Sequence, residues 1–210
     1  MLKKNWKILM ITSILILLPM LAGIIIWDHL PDQVPIHWNL RGDIDDWGSK
    51  SFLVFGMPLI LLAIQWLCIL GTFSDPKKAN HPRKVLYLLF CFIPVLSILL
   101  FSITYAVALG KEVRVEVVLP IFIGLILAII GNYLPKCKQN YTIGIKIPWT
   151  LNSETNWNKT HRFAGRLWTV SGILIALSGF FRAFEAFLAI VFLMVFVPII
   201  YSYILYRKGA

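Results

Sequence analysis

The chain has 210 residues, of which 59% are hydrophobic and 14% are charged, and its mean hydropathy is +0.78. A soluble domain is about 45 to 50% apolar, so this composition excludes an ordinary water-soluble fold and indicates a lipid bilayer as the solvent. The net charge of +10 does not indicate direct nucleic-acid binding, because the Lys and Arg residues are dispersed between apolar runs instead of forming one basic face.

Six apolar runs predict an all-α polytopic membrane protein. A membrane-spanning helix needs about 20 apolar residues to cross about 30 Å of hydrocarbon. The fifth run is the shortest, and it spans only if Arg166 and Arg182 snorkel to opposite interfaces. The first run is not expected to be a cleaved signal peptide, because no small-x-small cleavage site follows it. The predicted spans cover residues 8–27, 52–73, 85–109, 117–135, 164–182 and 186–206.

The distribution of positive charge predicts the orientation of the chain. Cytoplasmic loops of membrane proteins carry an excess of Lys and Arg. Fifteen of the 20 lie at the N-terminus, in the second and fourth loops and in the C-terminal tail. The alternate loops hold the other five, which are Arg41, Lys50, Lys111, Arg114 and Arg182. Both termini are therefore predicted to be cytoplasmic.

The spans and loops predict three segments. Residues 1–75 form an N-terminal two-span unit with an outer loop at 28–50. Residues 76–130 hold spans three and four. Residues 131–210 form a C-terminal unit with a cytoplasmic loop at 136–166 and spans five and six.

The outer loop is aromatic and acidic. Its DIDDWG stretch resembles the start of a calcium loop, but Trp47 stands at the fifth position and Val54 stands where the bidentate Glu is needed, so no metal site is predicted. One interpretation has solvated acids, with the tryptophans at headgroup level. The other is a peptide-recognition surface. The residues expected to contact a peptide are His37, Trp38, Asp43, Asp46 and Trp47.

The inner loop has an extended or turned first half, NYTIGIKIPWTL, and a helical second half. Asn152 or Ser153 is expected to cap the helix, with Glu154 in its first turn. The sequence predicts an interfacial amphipathic helix before the fifth span, aromatic toward lipid and basic toward anionic headgroups. Docking of a cytoplasmic partner is the alternative. His161 is expected to be an interfacial polar residue. The aromatic face holds Trp157, His161, Ala164 and Trp168, and the basic face holds Lys159, Arg162 and Arg166.

The predicted spans contain few polar side chains that could bind or react with a ligand. The polar side chains there, such as Gln65, are expected to form hydrogen bonds across helices or to their own backbone. The chain lacks HExxH and GxSxG motifs and a phosphate-binding glycine loop, so no enzymatic activity and no cofactor are expected. Cys68, Cys91 and Cys137 have no metal-ligand spacing.

Two stretches resemble motifs of known membrane proteins. LPDQVPIHWNLRGDIDDWGSK resembles a pattern found at the start of a group of bacterial polytopic membrane proteins. GNYLPKCKQNYTIGIKIPWTLNSETNWNKTHRFAGRLW is similar to the segment that defines the SdpI immunity-protein family. The matching positions of this second motif are Gly131, Asn132, Asn140, Gly144, Lys146, Pro148, Trp149, Thr150, Leu151, Trp157, His161 and Arg162.

The resemblance implies a multi-pass protein of the bacterial cell membrane that protects the cell against a secreted peptide toxin. In the founding member of the family, bound toxin also leads the protein to hold a DNA-binding autorepressor at the membrane. A cytoplasmic repressor is therefore a candidate partner, beside the toxin and the lipid bilayer. Two rival functions are export of the peptide and signalling by a membrane scaffold that has no protective role.

Overall fold

The structure is a computed structural model that describes residues 2–39, 41–181 and 183–209. Six helices in these residues are long and apolar enough to cross a membrane, which confirms the six predicted spans. The predicted snorkelling of Arg182 lies outside the described residues. A π-helical turn, Phe52–Gly56, leads directly into the second spanning helix. The long helices are α1 (Leu2–Ile25), α2 (Met57–Phe73), α3 (Arg83–Ala108), α4 (Val115–Tyr133), α6 (Glu154–Ser178) and α7 (Phe184–Arg207), and a short α5 (Pro148–Asn152) precedes α6.

A β-hairpin stands between α1 and α2, so the all-α prediction is wrong in this segment. Its antiparallel strands are β1 (Gln33–Trp38) and β2 (Ile44–Ser49). The turn is built by Asn39, whose side-chain oxygen accepts the N–H groups of Arg41 and Asp43 at 2.8 and 3.0 Å. Gly42 completes it with φ of 87°, a conformation that glycine adopts without steric cost.

The hairpin belongs to the first of two compact units, which contains the chain up to Phe73 and Leu86–Val115. Val34, on β1, has no exposed surface, and Leu30 is 3% exposed. Both pack into an apolar cluster with Leu53, Val54, Phe101 and Tyr105. The base of the hairpin is thus packed against the helices of this unit.

Polar side chains join the helices of the first unit. Gln65 of α2 donates to the Thr12 hydroxyl of α1 at 2.7 Å, and Ser97 of α3 donates to the Ile16 carbonyl at 3.1 Å. Of the two modes expected for Gln65, the structure therefore shows the bond across helices. Such bonds contribute about 1 kcal/mol each in an apolar surrounding.

The second unit contains Ser74–Val85 and the chain from Glu116 onward. Helices α6 and α7 are joined by Asn156, which donates to the Ser202 carbonyl at 2.9 Å and accepts from the Ser202 hydroxyl at 2.5 Å. Helices α4 and α6 approach closely through glycines: a Cβ on Gly124 or on Gly172 would overlap backbone atoms of the other helix. Small residues are the usual means by which membrane helices come this close.

Substituting Gly172 by alanine is expected to lower the stability of the protein by about 2 kcal/mol, because the added methyl group forces α4 away from α6. Gly71→Ala is the matched control, since a Cβ at this helical position meets nothing within 4 Å. Thermal unfolding of both variants in the same micelles checks the difference. Equal unfolding temperatures would contradict the close packing of α4 on α6.

Helix α6 corrects the prediction of a separate interfacial helix that presents its aromatic face to lipid. The helix runs without a break from Glu154 to Ser178, and the Ser153 hydroxyl caps it by accepting the Asn156 N–H at 3.2 Å. Trp157 has no exposed surface and His161 only 1%. Their face packs inside the protein because both side chains have hydrogen-bond partners there that lipid cannot supply.

Candidate functional site: the motif loop and the hairpin

The segment between α4 and α6, residues 137–152, is called the motif loop here. It contains most of the predicted family motif. Asn140 is 1% exposed, and its side-chain oxygen accepts the N–H groups of Thr142 and Ile143 at 2.9 and 2.7 Å. Its amide donates to the Lys138 and Ile143 carbonyls, each at 2.9 Å. A side chain that satisfies four backbone groups specifies the turn, because its amide offers donors and an acceptor together and the short Asn side chain brings them to backbone groups close in sequence.

Thr150 and Gln139 close the motif loop on itself. The Thr150 hydroxyl donates to the Ile145 carbonyl at 2.8 Å and accepts the Ile147 N–H at 3.1 Å, at the start of α5. Gln139 donates to the carbonyls of Thr150 and Leu151, both at 2.9 Å. The start and the end of the loop are thus held together by buried side chains.

Trp157 and His161, one turn apart on α6, form the floor beneath the motif loop. Their rings stack with centroids 3.9 Å apart. The Trp157 indole donates to the Cys137 carbonyl at 2.8 Å. His161 Nε2 accepts the Ile145 N–H at 3.0 Å, so its Nδ1 carries the proton and donates to the Trp157 carbonyl at 2.8 Å. His161 is therefore a buried structural residue, and the expectation of an interfacial histidine is wrong.

Gly144 lies against these two rings. Its φ of 125° is open to glycine, and a Cβ there would overlap His161 Nε2 and meet the Trp157 ring at 3.0 Å. The backbone of the motif loop reaches its hydrogen bond on His161 only because position 144 carries no side chain.

Asp75 is a buried residue that the sequence interpretation missed. It precedes α3 in the segment Ser74–Val85 and is only 2% exposed. Its Oδ2 accepts the Tyr141 N–H and the Thr142 hydroxyl, both at 2.9 Å, while Oδ1 accepts the Lys77 N–H at 2.7 Å. His81 Nε2 lies 3.4 Å from Oδ2. The only sequence signal was an acid in an otherwise basic loop, DPKK.

Two more side chains of this segment bind Gln139. Lys77 donates to its side-chain oxygen at 2.5 Å, and Asn80 donates to its carbonyl at 2.7 Å. The segment 74–85 and the motif loop therefore form one polar cluster, called the Asp75 cluster here, which comprises Asp75, Lys77, Asn80, His81, Gln139, Tyr141 and Thr142.

The electrostatics of the cluster favour a charged Asp75. Burial opposes its ionisation, but the hydrogen bonds from Lys77, Thr142 and Tyr141, together with nearby His81, bring its pKa below the usual value. Burial alone raises the pKa of the Cys137 thiol to about 11, so this cysteine stays protonated. The groups of the loop are arranged for mutual hydrogen bonding, with their donors and acceptors directed at one another.

The remaining motif residues lie in the loop and on the flanking helices α4 and α6. Trp149 packs against Tyr203 and Tyr206 of α7, with ring centroids 5.5 and 6.0 Å away. Gly131 is buried and Leu151 is partly buried. The exposed motif positions are Asn132, Lys146, Pro148 and Arg162. The structure thus separates the predicted motif into residues that build the loop and residues that the protein displays.

The hairpin forms a separate candidate site in the first unit. His37 pairs with Asp46 in the strand register, but the register is irregular beside it, and the His37 side chain binds Asp45, with Nδ1 2.6 Å from Oδ1. Both side chains are exposed, at 65% and 42%. Asp45 was not among the predicted contact residues. In the residues that the structure describes, no group of three metal-ligating side chains comes together.

Of the other predicted hairpin residues, some make hydrogen bonds within the hairpin and one has a largely exposed ring. Asp43 accepts from the Asn39 amide at 3.2 Å, across the turn. Asp46 accepts the N–H of Trp47 at 2.9 Å. Trp47 itself is 53% exposed, whereas Trp38 is half-buried. An aromatic ring held outside the protein by an ordered strand is a feature typical of recognition surfaces.

Comparison with known proteins identifies two matching families and one similar protein. The SdpI/YfhL protein family matches residues 136–202, and a domain of unknown function, DUF1648, matches residues 14–62. The chain is 30% identical over 202 residues to the protein named Immunity protein SdpI of Bacillus subtilis (strain 168), covering 95% of this chain and 92% of that protein. The chain belongs to the SdpI immunity-protein family.

The two matched regions coincide with the two sites. The SdpI/YfhL match begins at Lys136 and contains the whole motif loop, α5, α6 and most of α7. The match to the domain of unknown function contains the whole hairpin. With six spanning-length helices, this member of the SdpI family is a multi-pass membrane protein. No solved structure matches the chain.

Proposed function

We propose that this SdpI-family protein is a membrane immunity protein that neutralises a secreted antimicrobial peptide, and that the hairpin binds the peptide. The observation that carries the proposal is the hairpin itself. Its base is buried among Leu53, Val54, Phe101 and Tyr105, while its second strand is exposed at Asp45, Asp46 and Trp47. Family membership is the second support, since the Bacillus subtilis relative is named as an immunity protein.

The proposed contacts use charge and apolar area together. Asp43, Asp45 and Asp46 attract a cationic peptide, because acids on one exposed ribbon raise its local concentration. Trp47 then covers apolar side chains of the peptide, with His37 and Trp38 beside it. Aromatic residues dominate the binding free energy of such surfaces. Capture at the hairpin, on the predicted outer side, keeps the peptide out of the hydrocarbon.

The motif loop has a different part in the proposal. Its residues Asn140, Thr150, Trp157 and His161 make hydrogen bonds within the second unit. These bonds support a role in holding the spans in place. A role in reading out occupancy of the hairpin is the alternative. Retention of a cytoplasmic repressor stays a prediction from the resemblance, and its place would be the displayed residues of this loop. Recovery of a DNA-binding protein with the solubilised full chain checks it.

A challenge assay tests peptide capture. Cells producing the Trp47→Ala or Asp46→Asn variant at wild-type membrane levels are exposed to the secreted peptides of the bacterium that carries this chain. Both variants are expected to become about tenfold more sensitive, since losing a central aromatic contact costs more than 1 kcal/mol. The matched controls are Phe181→Ala and Asp28→Asn, which change an exposed aromatic residue and an exposed acid outside the hairpin.

Full protection by the hairpin variants would overturn the capture mechanism. Protection that disappears when the proton gradient is collapsed, while peptide binding is unchanged, would favour export instead. Binding of peptide without any protection in wild-type cells would favour the signalling scaffold.

A further inference from the structure

Helix α6 and the turn after it are together long enough to cross a membrane, but the uninterrupted apolar stretch of α6 is shorter than the hydrocarbon core. Beyond Arg166, the apolar stretch ends with the 3-10 turn Gly179–Phe181, after 15 residues. At 1.5 Å per α-helical residue and 2.0 Å per 3-10 residue this stretch is about 24 Å long. A typical hydrocarbon core is about 30 Å thick, so the core extends about one further helical turn along α6. That turn lies between Arg162 and Arg166, which places both guanidinium groups at the boundary of the hydrocarbon.

These cations lie on the side of α6 that faces away from the protein. Lys159, Arg162 and Arg166 are all exposed, and their spacing of three and four residues puts them on one helical face. The opposite face, with Trp157, His161, Ala164 and Gly172, is buried. Among the described residues, no carboxylate forms an ion pair with any of the three cations.

A cation at the edge of hydrocarbon has few ways to be neutralised. Without a protein acid, the long side chain extends toward the interface, where lipid phosphates are the nearest anions. Guanidinium groups suit phosphate particularly well, because two parallel N–H donors engage two phosphate oxygens. Two arginines one turn apart present such donors twice, with Lys159 one turn closer to the N-terminus of the helix.

We propose that Arg162, Arg166 and Lys159 form a binding site for the headgroup phosphate of an anionic phospholipid. The bound lipid sets the depth of α6 in the bilayer. Since the buried face of the same helical turns carries Trp157 and His161, lipid binding also steadies the floor of the motif loop. This site is independent of the hairpin and of the proposed peptide capture.

Native mass spectrometry and thermal unfolding test the lipid site. Purified protein is titrated with dioleoyl phosphatidylglycerol or with dioleoyl phosphatidylcholine. The wild type is expected to retain phosphatidylglycerol preferentially and to unfold at higher temperature with it. Arg162→Gln/Arg166→Gln is expected to retain phosphatidylglycerol about thirtyfold more weakly, because it removes two cations that each favour an anionic lipid.

Matched variants separate this site from general charge. Arg207→Gln/Lys208→Gln removes the same charge from the exposed end of α7 and is expected to keep lipid retention at the wild-type level. Arg162→Lys/Arg166→Lys, which keeps the charge, is expected to fold and to restore part of the retention even if the glutamine variant folds poorly.

Three results would overturn the proposal. One is equal loss of phosphatidylglycerol retention in both glutamine double variants. A second is stabilisation of the micelle-solubilised protein by inorganic phosphate alone, to the same extent as by the lipid. The third is unchanged lipid retention in Arg162→Gln/Arg166→Gln with loss of a co-purifying acidic protein, which would make the surface a protein docking site.

Discussion

Replacing Gly144 with alanine is expected to lower the free energy of unfolding by about 3 kcal/mol. An L-residue at a φ of 125° is strained by about 1 to 2 kcal/mol. The added methyl group also displaces His161, which removes the hydrogen bond from the Ile145 N–H and leaves a buried donor unsatisfied, at a further cost of about 1 to 3 kcal/mol. Unfolding in micelles followed by tryptophan fluorescence measures the change, because Trp157 stacks directly on the displaced ring.

Gly110→Ala is the matched control for this substitution. Gly110 also has a positive φ, 77°, but a Cβ there meets nothing within 4 Å. It should show only the backbone strain of about 1 kcal/mol. If Gly144→Ala lost no more stability than Gly110→Ala, the close packing of the motif loop against His161 would be contradicted.

Replacing Asp75 with asparagine is expected to lower stability at neutral pH by about 3 kcal/mol. Both carboxylate oxygens accept hydrogen bonds, and the asparagine amide puts two donors where one of those acceptors stood. The N–H of Tyr141 or of Lys77 then faces another donor, and a charge-assisted bond contributes about 1.5 to 3 kcal/mol. Asp28→Asn, an exposed acid, is the matched control and should change stability by less than about 0.5 kcal/mol.

The ionisation of Asp75 also predicts how the stability of the protein depends on pH in the acidic range. The pKa of Asp75 in the folded protein lies below its usual value near 3.8. Its charge therefore contributes stability above the usual value, and this stability is lost as the pH falls below 3.8 through the lower folded pKa. Unfolding temperatures measured from neutral pH into this range should fall more steeply for the wild type than for Asp75→Asn. If the unfolding temperatures of the two proteins fell in parallel with pH, the charge of Asp75 would not contribute to the stability of the cluster.

The spans were predictable because hydrophobicity acts locally. Each run of about 20 apolar residues must form its hydrogen bonds within itself in lipid, so a helix follows from composition alone. The boundaries of the second span, 52–73, match the structure, and the fifth differs most because α6 begins at Glu154. The apolar face of its first turns is covered by protein, and no count of apolar residues distinguishes protein from lipid as the covering medium.

The hairpin and the Asp75 cluster were harder to predict for a physical reason. Strand pairing depends on register, and the turn at Asn39 and Gly42 has no common two-residue signature. Asp75 and Thr142 are 67 positions apart in the chain and touch only when the fold brings them together. The motif positions could be identified by resemblance, but which of them are buried and which are exposed depends on the tertiary packing.

The sequence by itself determined the number of spans, the membrane as solvent and the positions of the two polar loops, 28–50 and 136–166. Each of these depends on local composition or on a contiguous motif. Only the tertiary structure decided that Trp157 and His161 face the protein, that a buried carboxylate at Asp75 joins the segment 74–85 to the motif loop, and that Arg162 and Arg166 are left on the outside of α6. These three outcomes depend on which distant groups satisfy each other's hydrogen bonds and charges, and that pairing is settled when the chain packs.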